Sequence, residues 1–242
     1  MKKQKRESLT ISNLLLNEIR EGLYKASEML PAETDLAASM GISRTQLRDA
    51  LSILEQNGFI TRRRGIGSTI NRQVLRAVTR VDLEVEFLDL VRNAGYEANS
   101  KLLAAEVTSN DEVAASFLGV AAHTPILEVS RLIYADDRPV IHCCDHISFE
   151  RIKDYQYTIE DLKPPIFYFV EKFCHTEIFM NLTEIKPMLA DEELSSLLEI
   201  EVGDPMLRFN EVAYNIDNEI VLYSQESYVD GIFKHQTLRK KI

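Results

Sequence analysis

An internal repeat is the feature that most restricts the fold of this 242-residue chain. Residues 111–146 and 191–226 align at a constant offset of 80 without a gap, and eight of the 36 aligned positions are identical. Each copy has the pattern of a short helix, a strand that follows a proline, a turn and a return strand. Two such copies predict a pseudo-symmetric α+β domain built around one antiparallel sheet.

Charged residues interrupt the apolar rows of the predicted strands. Since successive side chains of a strand point to opposite faces, Arg131 shares a face with Val129 and Ile133. Glu211 takes the equivalent place in the second copy, and Asp145 lies in an apolar row of the first return strand. A charge at a core-facing position is costly unless it is paired. The rows therefore predict a buried Arg131–Glu211 ion pair, a ligand cleft, or both.

The N-terminal part of the chain predicts three helices and a hairpin. The first helix runs from Ser8 to Glu21 and the second from Glu33 to Met40, where Gly41 ends it. Ser43 and Gln46 form the S-x-x-Q pattern of a capping box, which begins a third helix that closes at Gly58. Residues 59–70 then contain two short β-prone runs around a Gly-Ile-Gly turn.

Exposed basic residues on these elements predict contact with double-stranded DNA. Arg44, Thr45 and Arg48 fall within about a quarter turn of the third helix, on the side away from its apolar stripe. Arginines at the start of a capped helix suit the major groove, where a guanidinium reads guanine. Arg63 and Arg64 lead into the hairpin turn, so the hairpin is interpreted as a wing that contacts the DNA backbone or minor groove.

The distribution of charge supports the same interpretation. Residues 1–73 hold 12 Lys and Arg against 8 Asp and Glu, whereas residues 74–242 hold 16 against 30. A basic module that meets phosphates is therefore joined to an acidic one. The three cysteines form no disulfide framework, and no apolar run is long enough for a signal peptide or a membrane span. These features predict a cytoplasmic protein with no membrane partner.

The N-terminal pattern resembles the GntR family of bacterial regulators. This resemblance implies a winged helix-turn-helix and DNA contacts by residues of the third helix and the wing tip. Two positions depart from the common family pattern, because Ala32 replaces a frequent serine and Thr34 replaces a frequent DNA-contacting arginine. The matching stretches are 30–37, 41–51, 54–60 and 64–68, and the implied contacts are Ser43, Arg44, Thr45, Arg48, Arg64 and Gly65.

The remainder, residues 80–240, resembles the UTRA effector-binding domain of the HutC-type branch of that family. The resemblance rests on residues 94–96, 129–132, 135–140 and 222–228. It implies a chorismate-lyase-like fold that binds a small metabolite near Arg131 and Tyr223. With the charged positions of the strands, the expected effector site comprises Arg131, Asp145, Glu211 and Tyr223, and the expected effector is anionic or polyhydroxylated. Ile133 and Cys143 stand where many relatives carry a second arginine and a glutamate, which argues against a terminal phosphate.

Together these observations predict a homodimeric, metabolite-responsive repressor that reads a palindromic operator. The expected domains are a winged helix-turn-helix at 1–73, a linker at 74–80, and an effector-binding and dimerisation domain at 81–242. Three alternatives stay open: a lyase-like enzyme fused to a DNA-binding head, a winged helix used for protein docking, and an effector-free architectural protein. In the lyase, Asp145 and Glu211 would be the acid and base.

No cofactor or metal is predicted. The segment 142–146 reads His-Cys-Cys-Asp-His, and on a strand His142, Cys144 and His146 would face one way. Such a row could hold a metal. Cysteines that fill a packed sheet are the favoured interpretation.

Overall fold

The computed structural model describes the backbone of residues 2–77 and 79–240. Its contacts divide the chain into two units, each of which is described by itself. The first contains the chain up to Leu83 together with the residues from Lys234 onward, and the second is Glu84–Phe233.

Three helices and a hairpin form most of the first unit, as predicted. The first helix is longer than expected because it begins before Ser8. The capping box of Ser43 is present, since its Oγ accepts from the Gln46 amide at 3.2 Å and the Gln46 side chain accepts from the Ser43 amide at 3.1 Å. Ala32 provides no side-chain cap to the second helix. The elements are α1 (Lys2–Arg20), α2 (Glu33–Met40), α3 (Arg44–Gln56), β1 (Ile60–Arg63), β2 (Gly67–Ile70), α4 (Arg72–Leu75) and β3 (Thr79–Arg80).

The second unit is built on one six-stranded antiparallel sheet. The strand order is β4-β5-β6-β9-β8-β7, so the two repeat copies meet at the β6–β9 pair. Two short 3-10 turns occupy Phe149–Arg151 and Ile159–Leu162. The elements are α5 (Phe87–Asn93), β4 (Ala98–Thr108), α6 (Glu112–Leu118), β5 (Ile126–Ala135), β6 (Arg138–Ser148), α7 (Ile166–Phe173), β7 (Met180–Leu189), α8 (Glu192–Leu198), β8 (Pro205–Tyr214) and β9 (Ile220–Val229).

The predicted pseudo-symmetric α+β architecture is confirmed, with two refinements. Each copy also supplies the outer strand before its helix, β4 in one and β7 in the other. Equivalent residues of the two copies are 80 positions apart in β5 and β8 but 81 positions apart in the return strands β6 and β9. Ile133 of β5 corresponds to Ala213 of β8, and their partners in the return strands are Ile141 and Leu222. The second turn is one residue longer, so Asp145 corresponds to Glu226 and not to Gln225.

The two faces of this sheet carry different clusters. On one face, Leu127, Val129 and Ile147 pack against Phe169 and Phe173 of α7. On the other, α6 covers a cluster that contains Ile126, Val212 and Tyr223. The polar cavity described below opens on the first face, so strand parity decides which side chains can reach it.

The end of the chain returns to the first unit. His235 and Gln236 form β10, which pairs in parallel with Thr79 and Arg80 of β3. Lys240 Nζ donates to the carbonyls of Glu55 and Gln56 at 2.6 and 2.8 Å, at the C-terminal end of α3. The structure thus places the unit boundary after Leu83, beyond the predicted boundary at residue 80, and assigns the chain end to the first unit. Val78 of the predicted linker lies outside the described residues.

Within the part of the chain that the structure describes, no helix is both long and apolar enough to cross a bilayer.

Candidate functional site

The start of α3 presents the side chains that were predicted to read DNA. Ser43, Arg44, Thr45 and Arg48 are all exposed, whereas the apolar stripe of α3 is buried at Leu47, Ala50, Leu51 and Leu54. The capping box fixes the first turn, and thereby holds the three side chains of α3 on one side of the helix. Hydrogen-bonding groups are therefore offered to a groove on one helix face.

An acidic residue orients the basic ones on this surface. Glu33, at the start of α2, accepts from Arg48 Nε at 2.7 Å and lies 3.7 Å from Arg62. The Arg48 side chain remains 55% exposed, so part of its guanidinium is free to meet a base edge. Arg62 also donates to Ser52 Oγ at 3.1 Å, which ties the hairpin to α3.

The wing is a two-stranded hairpin in which Arg63 pairs with Gly67. Arg63, Arg64 and Gly65 are exposed at its tip. Gly65 has a φ of +79°, a left-handed backbone conformation that favours glycine, and this allows the tight turn. The hairpin tip therefore presents two exposed guanidiniums next to a glycine, whose backbone a ligand can approach closely. Guanidiniums and backbone amides are groups that bind DNA phosphates.

A second site is a cavity of about 310 Å³ within the unit Glu84–Phe233. Its floor is the sheet face that also packs against α7, and its walls come from the segment before α5 and from the start of α7. Three of the four predicted effector residues line it, namely Arg131, Asp145 and Glu211. The other lining residues are Glu84, Val85, Glu86, Phe87, Ser100, Ile133, Pro165, Ile166, Phe167, Ile178, Asn181, Leu222, Ser224 and Glu226.

Arg131 is held by the protein itself. Its guanidinium donates to the carbonyls of Pro164 at 2.9 Å and Leu162 at 3.3 Å. Its ion-pair partner is Asp145, with Nε 3.5 Å from Oδ2, so the predicted pairing with Glu211 is wrong. Asp145 also accepts from Ser224 Oγ at 2.6 Å. The guanidinium therefore anchors the segment before α7 and neutralises one carboxylate, which leaves little of it for an anionic ligand.

Glu211 has polar neighbours, but no lysine or arginine of the described residues forms an ion pair with it. It accepts from Asn181 Nδ2 at 2.7 Å and from Thr183 Oγ1 at 2.5 Å, while the same Asn181 nitrogen donates to Glu84 at 2.7 Å. Burial, followed by repulsion from the Glu84 carboxylate, raises the pKa of Glu211 to about 7. At neutral pH this carboxyl is thus poised between its two protonation states.

Glu226 extends the same acidic group. It is buried, and it accepts a hydrogen bond from the Tyr228 hydroxyl. Burial and then the neighbouring Glu211 raise the pKa of Glu226 well above its ordinary value. Among the described residues that line the cavity, Arg131 is the one cation, against the carboxyls of Glu84, Glu86, Asp145, Glu211 and Glu226.

Tyr223 is the predicted effector residue that the structure places elsewhere. Its ring stacks on Phe117 of α6 with centroids 4.3 Å apart, on the opposite face of the sheet. Its neighbours in β9, Leu222 and Ser224, line the cavity. Tyr223 therefore does not line this cavity, because adjacent residues of a strand point to opposite faces, and its contact with the effector stays a prediction.

Six polar cavity residues were not predicted: Glu84, Glu86, Ser100, Asn181, Ser224 and Glu226. The alternation of Leu222, Ser224, Glu226 and Tyr228 carried a signal for two of them, since it sets an acid in a largely apolar row. The other four, Glu84, Glu86, Ser100 and Asn181, lie outside the repeated segments, and no periodicity marked them.

A capped and basic helix-turn-helix with a wing, carried on the same chain as a unit with a polar cavity, defines a transcription regulator of the winged helix type. Comparison with known proteins identifies the family. Residues 7–70 match the model of the bacterial regulatory proteins of the gntR family, and residues 93–233 match that of the UTRA domain. The chain therefore belongs to the GntR family and carries the UTRA domain of its HutC-type members.

Curated relatives agree with this assignment. The HTH-type transcriptional repressor NagR of Bacillus subtilis is 26% identical over 208 residues, covering 84% of this chain and 82% of that protein. The probable fructoselysine utilization operon transcriptional repressor of Escherichia coli K12 is 25% identical over 220 residues, covering 89% and 87%.

Solved structures share the fold. The possible transcriptional regulator YydK from Bacillus subtilis superposes with a TM-score of 0.78 at 18% identity, over 97% of this chain and 99% of that one. PhnF from Mycobacterium smegmatis gives a TM-score of 0.60 at 20% identity, over 95% and 99%. The family and its named relatives are transcription regulators, so the lyase alternative is not supported.

Proposed function

We propose that the protein is a cytoplasmic repressor that binds a palindromic operator as a homodimer and is released from it by a small metabolite. The observation that carries the proposal is the presence, on one chain, of an exposed recognition helix and a polar cavity built from a separate unit. NagR and the fructoselysine operon protein, which match over more than four fifths of their length, are named as repressors.

On the DNA side, Arg44, Thr45 and Arg48 are proposed to contact base edges, with Ser43 at the helix start. The wing residues Arg63, Arg64 and Gly65 are proposed to contact phosphates or the minor groove. One such helix spans only a few base pairs, so two copies on a two-fold site are needed for specific binding. Exposed apolar side chains on the edge strand β7 support a dimer, with Leu182 67% and Leu189 66% exposed.

For the effector, we propose the polyhydroxylated class of the two that were expected, with a cationic amino group added. The reason is the broken symmetry of the cavity. Asp145 and Glu226 are equivalent residues of the two copies, and so are Arg131 and Glu211. In the first copy, Arg131 pairs with Asp145. In the second copy the equivalent pair is Glu211 with Glu226, two acids between which the described part of the chain places no cation.

A ligand ammonium fits the place that corresponds to the guanidinium of Arg131. There it would offset the repulsion between Glu211 and Glu226, which, after burial, is the second cause of the raised pKa of Glu226. The remaining groups, among them Ser100, Asn181 and Ser224, suit hydroxyl groups. An anionic ligand would instead meet an excess of carboxyls and an arginine already held by Pro164 and Asp145.

The test uses the full-length chain and a duplex selected from a random pool by binding to it. Thermal unfolding and DNA release are measured against matched panels of aminated, neutral and phosphorylated polyols, of which glucosamine, glucose and glucose 6-phosphate are the simplest members. We expect stabilisation and release by members of the aminated panel, with the apparent affinity rising between pH 5 and pH 7, where Glu211 begins to ionise and the amine of the ligand is still mostly protonated.

The outcomes separate the parts of the proposal. If only phosphorylated compounds release the DNA, the proposal of a cationic effector is refuted, whereas the proposal that the protein is a repressor is not. A chain that selects no sequence, or that binds it as a monomer in sedimentation, would refute the operator and dimer proposals.

A further inference from the structure

We propose that the second unit carries a zinc site formed by Glu128, Cys144 and His146, with Asp111 as the fourth ligand. This site lies on the helix-covered face of the sheet, opposite the effector cavity. It is separate from the proposed effector function and does not depend on it.

Three side chains of the types that bind zinc converge there. Candidate ligand atoms of Glu128, Cys144 and His146 all lie within 4.8 Å of one another. Cys144 and His146 are two residues apart in β6 and so share a face, and Glu128 of β5 is directly opposite His146 in the sheet register. The backbone of two adjacent strands therefore fixes all three positions, which limits the cost of organising a site.

The orientation of His146 is that of a metal ligand. Its Nδ1 lies 3.3 Å from the carbonyl oxygen of Tyr223, and a carbonyl can only accept, so Nδ1 carries the proton. Nε2 then turns its lone pair toward the other candidate ligands. A hydrogen bond from the second ring nitrogen to a backbone carbonyl is the usual outer support of a zinc-bound histidine.

The distances around Nε2 agree with a tetrahedral ion. Nε2 lies 3.5 Å from Asp111 Oδ2, 3.7 Å from Glu128 Oε2 and 3.7 Å from Cys144 Sγ. Tetrahedral zinc with bonds of about 2.0–2.1 Å to nitrogen and oxygen and about 2.3 Å to sulfur sets the nitrogen roughly 3.3–3.4 Å from an oxygen ligand and roughly 3.5–3.6 Å from a sulfur ligand, so the three distances are within about 0.4 Å of that geometry. A charged hydrogen bond from imidazolium to carboxylate would be shorter, about 2.7–2.9 Å.

Asp111 is itself positioned, because its Oδ1 caps α6 by accepting from the Ala114 amide at 2.8 Å. Its other oxygen faces His146. The Asp111 and Glu128 side chains are 30% and 29% exposed, whereas His146 is 3% exposed, so an ion could enter from the carboxylate side. His142, the other histidine of the row, bonds Ser130 Oγ at 2.9 Å and is not part of the site.

The experiment uses tag-free full-length protein, stripped with a chelator and titrated with Co²⁺ and then Zn²⁺. We expect one ion per chain, a thiolate-to-cobalt band in the near ultraviolet, strong visible bands of tetrahedral cobalt, and bleaching of both by Zn²⁺. Cys144→Ser should abolish the thiolate band and weaken zinc binding at least tenfold in a competition assay. Glu128→Gln should weaken it about tenfold and keep the band.

Cys143→Ser is the matched control, because that thiol points to the other face of the sheet; Cys174→Ser is a second one. Both should bind as the wild type does. Zinc protection of Cys144 from alkylation, mapped by mass spectrometry on the wild type, gives a readout that needs no variant. The proposal is overturned if cobalt shows no thiolate band, if Cys144→Ser binds zinc unchanged, or if zinc leaves the alkylation of Cys144 unaltered.

Discussion

Replacing Glu211 with glutamine tests whether the second half of the cavity stores electrostatic repulsion. The glutamine amide has nearly the shape of the protonated carboxyl. It can keep hydrogen bonds to Asn181 and Thr183, which donate to Glu211 in the wild type. The variant should therefore resemble the wild type at low pH and become the more stable protein as pH rises.

The size of the effect follows from the pKa of Glu211, about 7 in the folded chain against an ordinary 4.5. Since this folded pKa is raised, the unfolded chain releases its proton first, and stability falls as pH rises from about 4.5 to 7. At 1.36 kcal/mol per pKa unit, the full loss is roughly 3 kcal/mol. For a unit of this size that corresponds to about 6–12 °C in Tm.

The assay is thermal unfolding of the ligand-free protein between pH 5 and pH 8.5, followed by circular dichroism. The difference in unfolding temperature between Glu211→Gln and the wild type should be smallest at pH 5 and should grow to several degrees at pH 8, where the variant is the more stable. Glu201→Gln, at an exposed position, should follow the wild type throughout. If the difference in Tm between the wild type and Glu211→Gln is the same at every pH, Glu211 does not titrate in this range. The inference that burial and neighbouring carboxylates raise its pKa is then refuted.

Three further predictions concern the other sites. Arg48→Ala should cost roughly 1–3 kcal/mol on the selected duplex and relax base preference, whereas Arg63→Ala should weaken all sequences and lower the salt slope by about one; equal losses for Arg48→Ala on specific and random DNA would contradict base reading. Arg131→Leu should lower the free energy of unfolding by about 3–5 kcal/mol in denaturant titrations, because it leaves Asp145 buried without its ion-pair partner. Adding Asp145→Leu should recover part of that loss. If nothing is recovered, the loss comes instead from the missing hydrogen bonds to the carbonyls before α7. Tyr223→Phe should leave the effector concentration for half release unchanged, and a shift of tenfold or more would place Tyr223 in the site after all.

Local signals predicted the first unit well. The glycine at position 41 ends α2, while the capping box at Ser43 begins α3 and the spacing of Leu47 and Leu51 sets its buried face, all through short-range physics. The pairing of β3 with β10 was not predictable, because it joins Thr79 to His235 across more than 150 residues with no pattern in either short strand.

The repeat predicted the sheet and placed Arg131, Asp145 and Glu211 on its cavity face. The correspondence between residues of β6 and β9 was harder to predict from the sequence. The turn of the second copy is one residue longer than that of the first, and this shifts the equivalent positions of the two return strands by one. For this reason the ungapped alignment did not identify Glu226 as the residue equivalent to Asp145. Tyr223 was expected at the site from the resemblance alone, whereas the alternation along β9 puts its side chain on the face of the sheet opposite the cavity.

The return of the chain end makes the effector unit an insertion within the DNA-binding unit, entered after Leu83 and left before Lys234. When the inserted unit is folded, the strands that flank it, β3 and β10, lie side by side. When it is unfolded, the first unit must close a loop of about 150 residues, at an entropic cost of roughly 4 kcal/mol. Any ligand that keeps the inserted unit folded thus also spares the DNA-binding unit this cost. The two binding events are linked through chain connectivity alone, before any contact between the units is considered.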